Sequence, residues 1–285
     1  MKETTDSRSL YYFEEPDFDA AEMTDVSRLP SGRENMYVQL FGGLSVYVDG
    51  KRLRDEKWTK KKSKLLFAHL VLRFGRTLSR DALIAYLWPQ SLDNRAVDNL
   101  YVNWAAVKRA VTPRGDNRAF VINSGMLYSV NGDLVTSDVE EFDALARRVL
   151  FGEVSVREVR ELCLEMDRLY VDDLLSGIKC DAQLESIRKR YRDTYIDVLV
   201  MAAEIMLAAN DVMAALWFAR KALSLETRRE DVYQALMRSQ GMSGQRTAVM
   251  QTFCDCKRNL QLELGVKPSK KTIELYNQLM RENFS

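Results

Sequence analysis

From Met36 onward apolar and polar positions alternate. Val38 and Leu40 are followed by Leu44, Val46 and Val48, with Gly42-Gly43 between them and the turn dipeptide Asp49-Gly50 leading to Lys51, Arg52 and Leu53. A period of two turns one face of each short segment inward, which predicts a small antiparallel sheet. The period then lengthens. An apolar run from Leu65 to Leu72, preceded by the lysine-rich stretch Lys60 to Lys64 and closed by Gly75, predicts a first helix. A second is expected over Ser79 to Trp88, capped by Ser79 and stopped by Pro89. The third, Asp93 to Val111, carries the strongest pattern: Val97, Leu100, Trp104, Val107 and Val111 share one stripe, while Arg95, Asn99, Val102, Asn103, Ala106 and Arg109 gather opposite. Ser91 or Asp93 is placed to cap it, and Pro113 lies just beyond its end. Phe120 to Asn123 and Met126 to Val130 then predict two strands around Ser124-Gly125. A small sheet, three helices and a hairpin, in that order, match a winged helix-turn-helix unit of the α+β class. In such a unit the third helix enters the major groove and the hairpin lies along the backbone or the minor groove.

Beyond Ser137, which opens a candidate capping box with Glu140, no convincing strand is found and the chain reads as all-α, punctuated at Gly152, Gly177, Asn210, Gly241, Gly244 and Gly265. Setting Leu199 to Thr227 against Tyr233 to Gln261 at an offset of 34 places Ala202 on Leu236, Ala215 on Val249, Ala219 on Phe253 and Ala222 on Cys256. Small or apolar residues recur where paired helices approach closely, and the offset is that of a tetratricopeptide-like helical repeat. The expected organisation is an acidic, loosely docked arm over 1–35, a winged-helix domain over 36–136 and a helical repeat domain over 137–285.

Charge sharpens this picture. The chain of 285 residues nets only +1 at pH 7, but the sum hides a split. Residues 1–35 carry nine acids against four bases, whereas residues 36–138 carry sixteen bases against nine acids. A basic middle is the footprint of a polyanion contact. Four cysteines without CxxC spacing and a single His argue against a zinc site and for free thiols in the cytoplasm. No apolar run approaches the ~20 residues of a membrane span, so no membrane partner is expected. With no Ser/His pairing and no glycine-rich phosphate loop, catalysis lacks its parts, and neither a cofactor nor a metal is implied. His69, inside the first helix's apolar run, is expected to be packed. Met201, Met206, Met213 and Trp217 are expected to pack the repeats, and a concave Met-rich surface there suits a peptide or protein partner.

Arg and Asn grip guanine and adenine edges bidentately, so Arg95, Asn99 and Asn103 are the candidate base contacts, with Val102 set to meet a thymine methyl. Lysines in the first turn of a helix oppose its macrodipole, which points to an anion facing Lys60, Lys61, Lys62 and Lys64; phosphate contacts of this kind fix register without specifying sequence. Arg109 is a further candidate for phosphate or base, and Arg118, Ser124 and Gly125 would set the hairpin against double-stranded DNA. A different reading remains open beside this one: a protein interaction module whose winged helix no longer reads DNA.

The runs VQLFGGLSV, LLFAHLVLRFGRTLSRDALIAYLWP, LYVNWAAVKRAV and SDVEEF, followed by ELGVKPSKKTIELYNQL at Glu263 to Leu279, resemble the Streptomyces antibiotic regulatory protein family. Its members join a winged helix to a bacterial transcriptional activator domain. The resemblance runs from Met36 to the C-terminus. It implies an activator that binds direct repeats beside a promoter, with two copies on DNA, and contacts RNA polymerase holoenzyme. No further domain is expected before the sheet or after the repeats. The chain departs from the family pattern at Ala105 and Ala106, where a Ser-Arg pair is usual, and at Gly125-Met126-Leu127-Tyr128, where Gly-Gly-Tyr is usual.

Overall fold

The computed structural model describes residues 35–73, 75–90 and 94–282. The acidic arm, apart from Asn35, and the candidate caps Ser91 and Asp93 lie outside the described residues. Strands β1 (Met36–Gln39), β2 (Ser45–Val48) and β3 (Lys51–Arg52) pair antiparallel as their alternation predicts. Asp49 (φ 49°) and Gly50 (φ 75°) both take the left-handed conformation that a two-residue type I′ hairpin requires. Helix α1 (Lys61–Val71) follows, then strand β4 (Leu78–Ser79), helix α2 (Arg80–Leu87) and helix α3 (Asn94–Val111). Strands β5 (Val121–Ser124) and β6 (Leu127–Val130) form the expected hairpin, and β4 adds to it as a third strand in the order β4-β6-β5. Strand β7 (Val135–Ser137) returns to lie parallel to β1, so the first sheet has the order β3-β2-β1-β7 and is not purely antiparallel. Two- and three-residue strands are too short to leave a period, which is why β4 and β7 were not legible.

The helical half comprises α4 (Asp138–Phe151), α5 (Val156–Leu169), α6 (Ala182–Ala208), α7 (Val212–Leu225), α8 (Glu230–Met242), α9 (Arg246–Leu264) and α10 (Lys270–Glu282). From α6 to α9 each helix packs on the next, and α10 closes against α8 and α9. Ala202, Ala215, Ala219 and Ala222 are all buried at these contacts, as are Leu236, Val249 and Cys256 at the equivalent positions of the second pair. Of the four side chains expected to pack the repeats, Met206 is buried and Trp217 partly so, whereas Met201 and Met213 are exposed. The box expected at Ser137 forms by half: its hydroxyl accepts from the Glu140 N–H at 3.4 Å. Its reciprocal form occurs one helix later, between Ser155 and Glu158.

The two halves share one hydrophobic core. The chain passes from β7 into α4 without a linker, and the loop Leu40 to Gly43 reaches into the helical half. There Phe41 is fully buried among Phe142, Tyr170 and Tyr191, with ring centroids 4.8 to 5.6 Å away. Its backbone is held as firmly. The Asp138 carboxylate accepts from the N–H groups of Leu40 and Phe41 at 2.8 to 2.9 Å, Gly42 donates to the Asp173 carbonyl, and Leu175 donates to the Leu40 carbonyl. Gly42 sits at φ +79° with Val171 Cγ2 only 2.7 Å from where a β-carbon would stand, so only glycine fits this approach. Burial pushes the Asp138 carboxyl up to about 7, although the N–H donors pull the other way.

Candidate nucleic-acid interface

Helix α3 is bedded on α1 and α2, and Trp104 meets Tyr128 of β6 edge to face at 5.0 Å. Helix and hairpin are thus fixed to one another. Leu100, Trp104, Val107 and Val111 are buried as their stripe predicts, but Ala96, Asn103, Ala106 and Ala110 are buried as well. The covered face of α3 is wider than hydropathy suggests, because small and amide side chains leave no apolar signal.

This changes two expectations. Asn103 is only 6% exposed, and its amide donates to the Asn99 carbonyl at 2.8 Å, one turn back on its own helix. It does not reach a base edge from there, and its Oδ1 is buried with no partner. Ala106, expected near the centre of the outward face, is likewise covered. The exposed face instead carries Arg95, Asp98, Asn99, Tyr101, Val102, Ala105, Lys108 and Arg109. Arg109 is folded back, its Nε donating to the Ala105 carbonyl at 3.3 Å. Tyr101 and Lys108, which flank the apolar stripe, belong to this face, and so does Asp98, which the amphipathic pattern did not single out.

The lysine run divides in two. Lys60 and Lys61 are exposed at the start of α1, where no side chain caps the helix. Lys62 turns inward instead: its Nζ donates to the Leu87 carbonyl at the end of α2 and lies 4.8 Å from the centre of the Trp88 ring. A cation at a helix C-terminus satisfies an orphan carbonyl and the negative end of the dipole, so this lysine has a structural task. Burial lowers its pKa accordingly. Lys64 is partly buried and pairs with Asp55 at 3.5 Å.

Arg118 also departs from its expected role. Its guanidinium holds Asp49 bidentately at 2.7 and 2.8 Å and Asp116 at 2.6 to 3.1 Å, and it lies over Phe120 at 5.0 Å. These bonds keep both carboxyls below the usual range and tie the β2-β3 turn to the segment leading into β5. A fork already filled by two carboxylates does not position a hairpin on phosphate. Ser124 and Gly125 are exposed at the hairpin tip, where Gly125 adopts φ +62°.

The fold is a winged helix fused to stacked helical pairs, the architecture of a transcription regulator. Residues 137–280 match the family described as bacterial transcriptional activator domain, half of the chain, and the chain belongs to that family. It is a family of non-enzymatic transcription regulators. Among solved structures, Mycobacterium tuberculosis EmbR in complex with low affinity phosphopeptide is similar, with a TM-score of 0.72 and 17% identity over 88% of this chain. At that identity the likeness is one of fold. The chain spans 66% of the length of that structure. A search of curated proteins gave no match. Among the described residues no helix is long and apolar enough to cross a membrane, and no group of three His, Cys, Asp or Glu side chains is placed to hold a metal ion.

Proposed function

We propose that this chain is a sequence-specific, DNA-binding transcriptional activator of the cytoplasm. It binds tandem half-sites in double-stranded DNA near a promoter, as two copies, and contacts RNA polymerase holoenzyme. One observation carries the reading: the first half of α3 presents Arg95, Asn99 and Val102 outward while Leu100, Trp104 and Val107 anchor its other side in the core. Arg and Asn on the outer face of a third helix suit guanine and adenine edges in the major groove, and Val102 suits a thymine methyl. Exposed Lys60 and Lys61, with Arg109 beyond them, suit phosphate. The exposed Met213, Met242 and Met250 offer the helical repeats adaptable apolar contacts for a protein partner.

The test is fluorescence anisotropy of the full chain on DNA upstream of its own and neighbouring genes, at two salt concentrations, against a scrambled competitor. Binding that resists the competitor and weakens steeply with salt supports the reading. Equal affinity for the scrambled duplex refutes it.

A second reading, an interaction module that no longer reads DNA, is favoured by a specific observation. Arg118, Lys62 and Lys64 are engaged within the fold, and Asn103 is buried. Recovery of a stoichiometric protein partner from nuclease-treated extract, with no promoter fragment shifted, would establish it.

A further inference from the structure

Resting on the proposed DNA-binding function, we propose that Met126 at the tip of the β5-β6 hairpin is an apolar wedge. It enters the minor groove beside the sequence read by α3, partly unstacks one base step, and makes the protein select sites that kink easily.

The hairpin is built unlike one meant for phosphate. Its ten residues, Val121 to Val130, contain no Lys, Arg, Asp or Glu. The register pairs Ile122 with Ser129 and Ser124 with Leu127, which puts these four on the outer face, while Val121, Tyr128 and Val130 are buried on the inner one. The outer face is therefore neutral, with Ile122 and Leu127 exposed. At the tip, Gly125 at φ +62° is followed by Met126 without a positive φ, a two-residue turn of type II′. The turn thrusts Met126 out, 60% exposed.

This tip is held in place. Asn123 Nδ2 donates to the carbonyls of Gly125 and Leu127 at 3.0 and 3.2 Å, and the Arg80 N–H at the start of α2 donates to the Met126 carbonyl at 2.7 Å. Strand β4 backs it through Leu78 and Ser79, and Tyr128 pins it to Trp104 of α3. A fixed backbone presenting one long, unbranched, polarizable side chain is what insertion between bases needs. Methionine is among the wedges used in minor grooves, where it opens a step and bends the duplex by roughly 20–90°. No acid on the hairpin repels the phosphates to either side. The exposed apolar set, Ile122, Met126 and Leu127, is too small for a stable protein interface, which covers about 800 Å² on each partner.

The experiment uses the full chain and duplexes enriched by it from a randomised pool, with 2-aminopurine walked through the steps flanking the conserved core. Binding of the wild type is expected to raise 2-aminopurine fluorescence at one step and to bring dyes at the duplex ends closer together. Affinity should be about tenfold higher when that step is TA or CA than when it is a G·C-only step. Met126→Ser, a surface change that leaves the fold intact, should lose the fluorescence rise, the bend and the step preference while keeping the same core sequence. Met126→Leu should retain all three. A flat 2-aminopurine signal at every step, or an unchanged one in Met126→Ser, overturns the wedge. So does a Met126→Ser variant that loses only cooperativity between adjacent half-sites, which would assign the tip to a neighbouring copy of the chain. Failure of the pool to enrich any duplex is a different result: it removes the proposed function itself, and the wedge with it.

Discussion

His69 Nε2 lies 2.8 Å from Asp181 Oδ2, joining the middle of α1 to the N-cap of α6. His69 is 2% exposed and stacks on Tyr86, while Asp181 also accepts from the Leu184 N–H that opens its helix. One carboxylate thus caps a helix of the repeat half and pairs with the single histidine of the winged-helix half. Burial works against its charge, but the His69 hydrogen bond and the Leu184 N–H hold the Asp181 carboxyl below the usual range.

His69→Ala leaves that carboxylate half-buried without its partner and is expected to lower stability by about 2–4 kcal/mol. Urea unfolding followed by far-ultraviolet circular dichroism and by tryptophan fluorescence should shift together, because the pair belongs to both halves. A depressed carboxyl contributes stability above its ordinary pKa and loses it as pH falls, so the wild type's advantage over His69→Ala should shrink below about pH 4. Separate shifts by the two probes would disprove the coupling.

Asp138 behaves in the opposite sense. Its folded-state pKa is raised from 3.8 to about 7, so the stability it contributes is complete below 3.8 and fades as pH rises through about 7. Asp138→Asn turns an amide donor toward the N–H groups of Leu40 and Phe41, and is expected to cost about 2–3 kcal/mol despite equal size. The gap in stability between wild type and variant should narrow from pH 5 to pH 8 in paired denaturant titrations. A gap that stays constant or widens would contradict the raised pKa.

The divided lysine run separates an effect on DNA affinity from an effect on stability. Lys61→Ala should reduce the slope of log affinity against log salt by about one without changing the preferred sequence. Lys62→Ala and Arg118→Ala should instead lower the melting temperature and leave the salt slope alone, since both cations are occupied within the fold. A slope change in either of the latter variants would return that residue to the phosphate set.

On α3, Asn99→Ala is expected to cost about 1–3 kcal/mol in specific binding and to relax one base position. Asn103→Ala should leave base preference as it is and act through stability, because its side chain is covered. A panel of single-base operator substitutions read by anisotropy separates the two.

Long, strongly periodic segments could be read directly from the chain. The stripe Leu100, Trp104, Val107 and the repeat alanines Ala215, Ala219 and Ala222 are buried where spacing predicts them, because apolar burial is what creates a period. Ser79 caps α2 as its identity suggests, accepting from the Ala82 N–H at 3.2 Å. What stayed hidden depends on partners distant in the chain. That Lys62 turns to Leu87, or that Arg118 joins Asp49 across 69 positions, is set by tertiary proximity and leaves no local trace. Asn103 looks polar on a helical wheel whether it faces solvent or neighbours. Tyr101 and Met126 are exposed, and the spacing of apolar positions alone does not tell which of them the fold leaves outside.

The Leu40 to Gly43 loop has a mechanical meaning. Phe41 is lodged among rings of the repeat half while both ends of its loop continue into β1 and β2, so the junction acts as a keyed shaft and not as a tether. The first sheet therefore turns with the repeats and not independently of them, and a transplanted repeat domain would keep that seating only if the keyway for Phe41 came too.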